Sequence, residues 1–399
     1  MANGRFHSQI TARHALLEHG NRCLMAVLTE EQTMLRDAAK AWVSEKSPVT
    51  AFRKMRDSGN EDGFDRAAWK QIAEMGWTGI LIPEEFGGSG LGYLTLGLVL
   101  EEMGRTLTAS PLLSTALTTA TALLLAGSDA QKKEWLPKIV EGKVIGALAV
   151  DESAHHAPEK IALSAKKSGS GYLLSGKKTF VIDGGSADLL IVAARTSGKA
   201  GDKSGVTLFL VKDDAKGLTR QKLKMVDSRG VANLTFDNTE AEVLGSADNG
   251  FDVLESVLDR ARAGIAAEML GACAQSFDTT LDYLKTRVQF GQAIGTFQAL
   301  QHRAAKMFTD LELMRSCVEA ALSAIDRNAN DVPELCSLAK AKASELDHLV
   351  SSEMVQMHGG IGMTDAHDAG LYLKRARVAE ATFGGTSYHR DRYARLMGY

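Results

Sequence analysis

The chain has 399 residues, 45% hydrophobic and 24% charged, with a formal net charge of −3. That length exceeds what one hydrophobic core usually supports, so two or three domains are expected. The near-neutral balance, with no basic excess, excludes a nucleic-acid footprint, and no apolar run approaches the ~20 residues of a membrane span.

The first 27 residues hold three Arg, three His and one acid, and lack the apolar core of a secretory signal. They read as an N-terminal extension over 1–27, with a transit peptide or a start at Met25 as the other readings, and residues 1–24 are expected to be dispensable. Residues 28–143 follow a helical pattern, an N-terminal helical domain. LTEEQTMLRDAAKAWV offers Thr29 as N-cap, acids and Gln in the first turn, then Met34, Leu35, Ala38 and Trp42 on one face. DRAAWKQIAEMGW repeats the idea, with Asp65 as cap and Gly76 as stop, and Pro111 opens a further helix.

From Val144 the grammar changes. VIGALAVD, GYLLSGKKTFVI, DLLIVAART, GVTLFLV, LTRQKLKMV and ANLTFD are short runs bounded by Gly, Asp, Asn and Ser, which predicts an antiparallel β-barrel or sandwich over 144–245. Helical periodicity then returns over 246–399, a C-terminal four-helix bundle. Leu254, Leu258, Ala261 and Ile265 form one stripe; Phe297, Leu300, Ala304, Phe308, Leu311 and Met314 form another; further helices span 334–357 and 368–382. The fold class is α+β.

Several motifs carry little chemistry. GYLLSGKK (171–178) fails as a P-loop, because Lys178 stands where Ser or Thr would hold Mg²⁺ and the stretch lies between strands. His155 and His156 are adjacent in a loop, where a solvated pair is expected rather than metal ligands. Cys23, Cys273, Cys317 and Cys336 are scattered with no C-x-x-C, the pattern of reduced thiols in a cytoplasmic compartment, without a disulfide frame or zinc site.

RVQFGQAIGTFQALQ (287–301) is different: a charge, an aromatic ring and a glycine interrupt two helical patterns. In QMHGGIGMTD (356–365) two glycines follow a long helix, either as a C-cap or as bare N–H groups for a phosphate, since a capped helix comes next. Together with EEMGR (101–105), WLPKIVEGK (135–143), VDSRG…LTFDN (226–238) and VLGSADNGF (243–251), these resemble the acyl-CoA dehydrogenase family from Leu28 to the end.

The resemblance implies FAD as cofactor, an acyl-CoA substrate, electron-transfer flavoprotein as electron acceptor, and a homo-oligomer or a heterotetramer with a second dehydrogenase subunit. It implies that Arg287, Gln289 and Phe290 meet the pyrophosphate and adenosine part of FAD, and that Gln298, Gln356, Gly359 and Gly360 are supplied by a neighbouring subunit. Phe180 faces the flavin, and Asp259 and Arg262 meet pantetheine, unless they are a surface ion pair.

Family members abstract the α-proton with a Glu in an aromatic-Glu-Gly-Thr motif. Here TFGGT (382–386) places Phe383 or Gly384 there, and the other family position for Glu holds Ala261. FVI (180–182) puts Ile182 where a hydroxyl usually faces the flavin, and VDESAHHAPEK replaces the usual flavin loop. These departures resemble the small subunits of bacterial two-subunit enzymes of the pimeloyl-CoA or steroid side-chain kind, in which the base sits on the other chain. The alternatives are a self-sufficient homo-oligomer using another acid, such as Glu380 or Asp151, and a structural subunit without flavin.

Overall fold

Thr29 fixes where the first helix begins. Its hydroxyl accepts from the Gln32 N–H while the Gln32 side chain accepts from the Thr29 N–H, a capping box at the head of α1 (Glu30–Lys46). These contacts belong to a computed structural model that describes residues 28–169 and 171–399; the expected extension and Cys23 lie outside the described residues. Helices α2 (Val49–Asp57), α3 (Arg66–Glu74) and α4 (Gly92–Arg105) follow. Asp65 caps α3 through the Ala67 N–H, and Gly76 ends that segment with φ 76°.

Pro111 does not lead directly into an α-helix. It precedes a π-helical stretch, Leu113–Thr119, which continues as α5 (Ala120–Ala126) before α6 (Asp129–Val140). The Thr118 and Thr119 hydroxyls both donate to the Ser114 carbonyl, at 2.6 and 2.8 Å, and so satisfy the widened turn.

The middle region holds β1 (Gly146–Ala149), β2 (Ser164–Ser168), β3 (Gly171–Ile182), β4 (Leu189–Arg195), β5 (Val206–Lys212), β6 (Leu218–Lys222) and β7 (Val231–Leu244). The sheet runs β1-β4-β2-β3-β7-β5, with β6 on β7, and a β4–β5 pairing closes it on itself. The purely antiparallel expectation needs correction at β4, which pairs parallel with β1 and, through Ser164–Arg195, with β2. All four β1 residues are buried, so the strand lacks the in–out alternation of a half-exposed antiparallel strand. Strand β2 was not among the apolar runs because three of its five residues are exposed. GYLLSGKK lies within β3, where Lys178 is buried and donates to Val150 O and Glu152 at 2.7 Å each.

The C-terminal region comprises α7 (Phe251–Thr286), a hairpin of β8 (Val288–Gln289) and β9 (Gln292–Ala293), then α8 (Gln298–Asp326), α9 (Val332–His358), α10 (Ala369–Ala381) and α11 (Thr386–Leu396). The short α11 adds a helix beyond the four of the expected bundle. Helix α7 crosses α4 almost backbone to backbone: a Cβ at Gly271 would lie 1.8 Å from Glu101 O, and one at Gly104 2.0 Å from Glu268 O. In α8 the buried face is Ala304, Met307, Leu311, Met314 and Val318, whereas Phe308, expected on that stripe, is 54% exposed.

Candidate active site and cofactor cavity

The π-helical stretch, the rim of the β-domain and helices α7 and α10 surround a cavity of about 390 Å³. Its sides are largely apolar: Leu113, Leu148, Val150, Val181, Ile182, Val226 and Phe383. Three cavity-lining non-glycine residues adopt left-handed backbone, Phe180 (φ 52°), Asp183 (φ 54°) and Phe383 (φ 56°). Such strain survives only where the surroundings impose it, and it concentrates at functional sites.

The polar part of the wall is a buried charge cluster. Arg375, on α10, donates to Glu268 (2.9 Å) and Asp227 (2.9 Å), and Arg229 donates to Glu268 at 3.2 Å. Burial favours a neutral Glu268, but Arg375 and Arg229 outweigh it and hold the carboxyl below its ordinary range. Asp183 has no such direct partner. Burial pushes it up to about 7, against the Ser114 hydroxyl, which donates to it at 2.6 Å. Among the described residues, Arg229 Nε, buried on a cavity-lining side chain, has no hydrogen-bond partner, while Arg377 NH1 faces the Glu380 carboxylate at 3.6 Å.

A second network ties the domains together beside the cavity. The expectation of a solvated His155–His156 pair fails for His156, whose side chain is 3% exposed. Its Nδ1 pairs with Asp151 at 2.9 Å, and its Nε2 accepts from Arg262 at 3.2 Å. The ring meets Tyr388 edge-on at 5.1 Å and Phe383 at 6.5 Å. Arg262 also donates to Asp259 (2.8 Å) and Tyr388 (3.3 Å), while Arg392 bridges Glu255 and Asp259. The Asp259–Arg262 pair is therefore buried, not a surface ion pair, and it lies behind His156 rather than in the cavity lining. Nothing in the sequence marked His156 as buried, since apart from Asp151 its partners come from 106 and 232 positions away.

The positions expected to hold the base carry none. Phe383 lines the cavity; Gly384 (φ 103°) stands so close to Tyr388 that a Cβ would lie 2.4 Å from its ring; Ala261 is fully buried in the core. Of the acids considered as substitutes, Asp151 lines the cavity but is occupied by His156 and the Ala157 N–H. Glu380 pairs with His348 at 2.9 Å and is not part of the lining.

Of the residues expected at FAD, Phe180 and its neighbours line the cavity, whereas Arg287, Gln289, Phe290, Gln298, Gln356, Gly359 and Gly360 do not. All seven are exposed, Phe290 by 91%. The two turns are nonetheless neighbours: Tyr283, four residues before Arg287, stacks on His358 at 4.3 Å and reaches its carbonyl. Both turns are exposed on this chain. Around Gly359 and Gly360 the space where a Cβ would stand is open.

An apolar cleft between three domains, with the Arg229 Nε donor left unpaired in its wall, is a pocket for a flat, partly polar cofactor. The acyl-CoA dehydrogenase N-terminal, middle and C-terminal domain patterns match residues 29–143, 152–239 and 248–398. The mitochondrial isovaleryl-CoA dehydrogenase of Pongo abelii is 34% identical, over 91% of this chain and 88% of its own. A solved structure titled for the electron transferring flavoprotein of Acidaminococcus fermentans superposes with a TM-score of 0.87 at 29% identity, covering 94% of this chain and 99% of its own. A variant of the Tcur3481-Tcur3483 steroid ACAD gives 0.85 at 32%, covering 92% and 98%.

The chain belongs to the acyl-CoA dehydrogenase family, FAD-binding oxidoreductases. The residues present fit that cofactor: apolar walls suit a flavin ring, and the unpaired Arg229 Nε offers a donor to its polar edge. No helix among the described residues is long and apolar enough to cross a membrane.

Proposed function

We propose that this chain serves α,β-dehydrogenation of an acyl-CoA thioester as the small subunit of a two-subunit complex, with the α-proton taken by a carboxylate on the partner chain. The observation that carries this reading is the turn where the family places its acid: Phe383 puts an aromatic ring in the wall, and Gly384 is crowded by Tyr388. Bound FAD supplies the two-electron acceptor for the hydride leaving Cβ. The chain's own residues shape and dry the cavity around it: Phe180, Val181 and Ile182 form one side, and Arg229 holds the polar edge.

The nearby groups make poor bases. Asp151 is engaged by His156 and the Ala157 N–H, and His156 Nε2 already accepts from Arg262. Asp183 supports a second, self-sufficient reading, because it lines the cavity and burial sets it at about 7.

Assembly follows the same logic. Val288, Phe290, Phe308, Leu313, Ile361 and Met363 leave large apolar side chains exposed on the C-terminal region, and surfaces of that kind favour association. The Arg287 and Gly359–Gly360 turns, both exposed, suit the pyrophosphate of an FAD held by a neighbouring subunit. The paired name of the steroid ACAD and the flavoprotein title of the other neighbour support a second dehydrogenase chain and electron-transfer flavoprotein as partners. The buried thiols of Cys273 and Cys336, pushed up by burial, fit a reducing, cytoplasmic-type compartment.

Anaerobic mixing of the purified chain with straight-chain, branched, dicarboxylic and steroid-derived saturated acyl-CoAs tests the proposal. A yellow protein whose flavin is not bleached until the partner is added supports it, and a colourless one would favour a structural role. Fast bleaching without a partner would refute it, and loss of that bleaching in Asp183→Asn would establish the second reading.

A further inference from the structure

Lys340, in the middle of α9, is fully buried. Its three ammonium hydrogens have three acceptors: Ser344 Oγ at 2.9 Å, Glu380 O at 3.0 Å and Gly384 O at 3.0 Å. The last two carbonyls flank the turn between α10 and α11 that carries Phe383. The carbonyl between them, Phe383 O, accepts from His389 Nε2 at 3.0 Å, another fully buried side chain. Within the turn the backbone is left-handed at both Phe383 (φ 56°) and Gly384 (φ 103°), a conformation an aromatic residue adopts only under constraint. The constrained element is a wall of the cavity, since Phe383 lines it and meets His156 edge-on.

We infer that Lys340 is a positioning residue for the cavity: its ammonium group clamps the Glu380–Gly384 turn and holds the Phe383 ring in the wall, and loss of its proton loosens that wall. A neutral amine has only two hydrogens and a lone pair, so Ser344 Oγ can no longer accept from it, and its bonds to Glu380 O and Gly384 O lose the charge that makes them strong. The inference concerns the turn and holds whichever chain supplies the base.

The surroundings make the switch accessible. Burial pulls Lys340 down to about 7, Glu380 on α10 and Asp347 on α9 favour the charged form, and Arg262 on α7 and Arg375 on α10 oppose it. His389 on α11 stays neutral, since burial and then Arg262 and Lys340 press it down to about 2, and so it donates to Phe383 O throughout. The sign is distinctive. Because the folded value lies below the ordinary lysine value, the burial cost is present below pH 7 and is relieved as pH rises above it. Lys340 therefore favours global stability as pH rises, while the turn itself loosens. A merely structural side chain would not separate the two.

Amide hydrogen exchange at residues 382–386, corrected for intrinsic rates and read from pH 6 to 9 on the purified full chain, tests the clamp. In the wild type, protection there should fall by about threefold to tenfold across neutrality, the worth of the charge lost from the two carbonyl bonds, while α7 core amides, which follow global stability, do not fall. Lys340→Met should show reduced protection in the turn already at pH 6 and no step. Ser344→Ala, which removes one acceptor, should move the step to lower pH. A flat wild-type profile, or wild-type protection of the turn in Lys340→Met, overturns the proposal. If Lys340→Met does not fold, the wild-type step and its displacement in Ser344→Ala decide alone: both present supports the clamp, either missing refutes it.

Discussion

The charge cluster in the cavity wall and the outer turns of the C-terminal region both carry arginines, and they are built in opposite ways. Arg375 is buried, with Glu268 and Asp227 at 2.9 Å, in a cluster drawn from α7, α10 and the segment before β7. Arg287 is exposed at the end of α7, beside Phe290 on a two-residue hairpin and open space over Gly359 and Gly360. The first region is paired within one chain except at Arg229 Nε; the second stays exposed. Buried charge costs stability unless it is paired, whereas an exposed arginine keeps its hydration.

The sharpest way to break the contrast is Arg375→Met. It strands Glu268 and Asp227 in a buried site with Arg229 as the remaining guanidinium. A loss of about 3–5 kcal/mol is expected by urea unfolding. A loss below 1 kcal/mol would mean, on this scale, that water reaches the cluster and that the two regions do not differ in kind. Gly384→Glu comes next. The new side chain would sit at φ 103° against Tyr388 and His389, so about 1–3 kcal/mol should be lost, with no gain in flavin reduction. Reduction by acyl-CoA in that variant would show that the turn relaxes to admit a base.

A smaller effect concerns Asp183. Its folded value of about 7 lies above the ordinary aspartate value, so the stability of its neutral form is full at low pH. That contribution is lost as pH rises from about 4 to 7. Asp183→Asn should flatten this fall, which melting curves at pH 4.5, 6 and 7.5 would read. Asp347, pushed by burial to about 8, leaves a residual slope of the same sign. Parallel wild-type and variant profiles would mean that Asp183 is ionised in the fold.

These residues also mark what the sequence could and could not convey. The capping box at Thr29, the Asp65 cap and the Gly76 stop are local patterns, and the structure reproduces them. The order of helices, strands and helices likewise follows from periodicity, and the motif turns at 287–301 and 356–365 pointed to the family. The buried parts were not local. His156 is buried because Asp151, Arg262 and Tyr388 converge on it from three segments, and Lys340 clamps carbonyls 40 and 44 positions away. Polar strand β2 and parallel β1 escaped for the same reason: pairing partners, not their own residues, define them.

Arg287→Ala should have the smallest effect on folding and still a large one on the cofactor. Its side chain is exposed and makes no ion pair described here, so unfolding free energy should stay within about 0.5 kcal/mol of wild type. A charge-assisted contact to phosphate is worth roughly 1.5–3 kcal/mol, so FAD retention should drop by about tenfold or more. The two measurements together locate the contact. Because Arg287 lies outside the cavity lining, a flavin loss without a folding loss requires the guanidinium to meet a cofactor seated elsewhere, across a subunit boundary. Light scattering on the same samples completes the argument. If wild-type protein at micromolar concentration is a 42.8 kDa monomer that still holds FAD, the turn has no neighbour to serve. If it is a dimer or tetramer, and the variant keeps that assembly while losing flavin, then the exposed arginine completes a partner's site and the buried one builds its own.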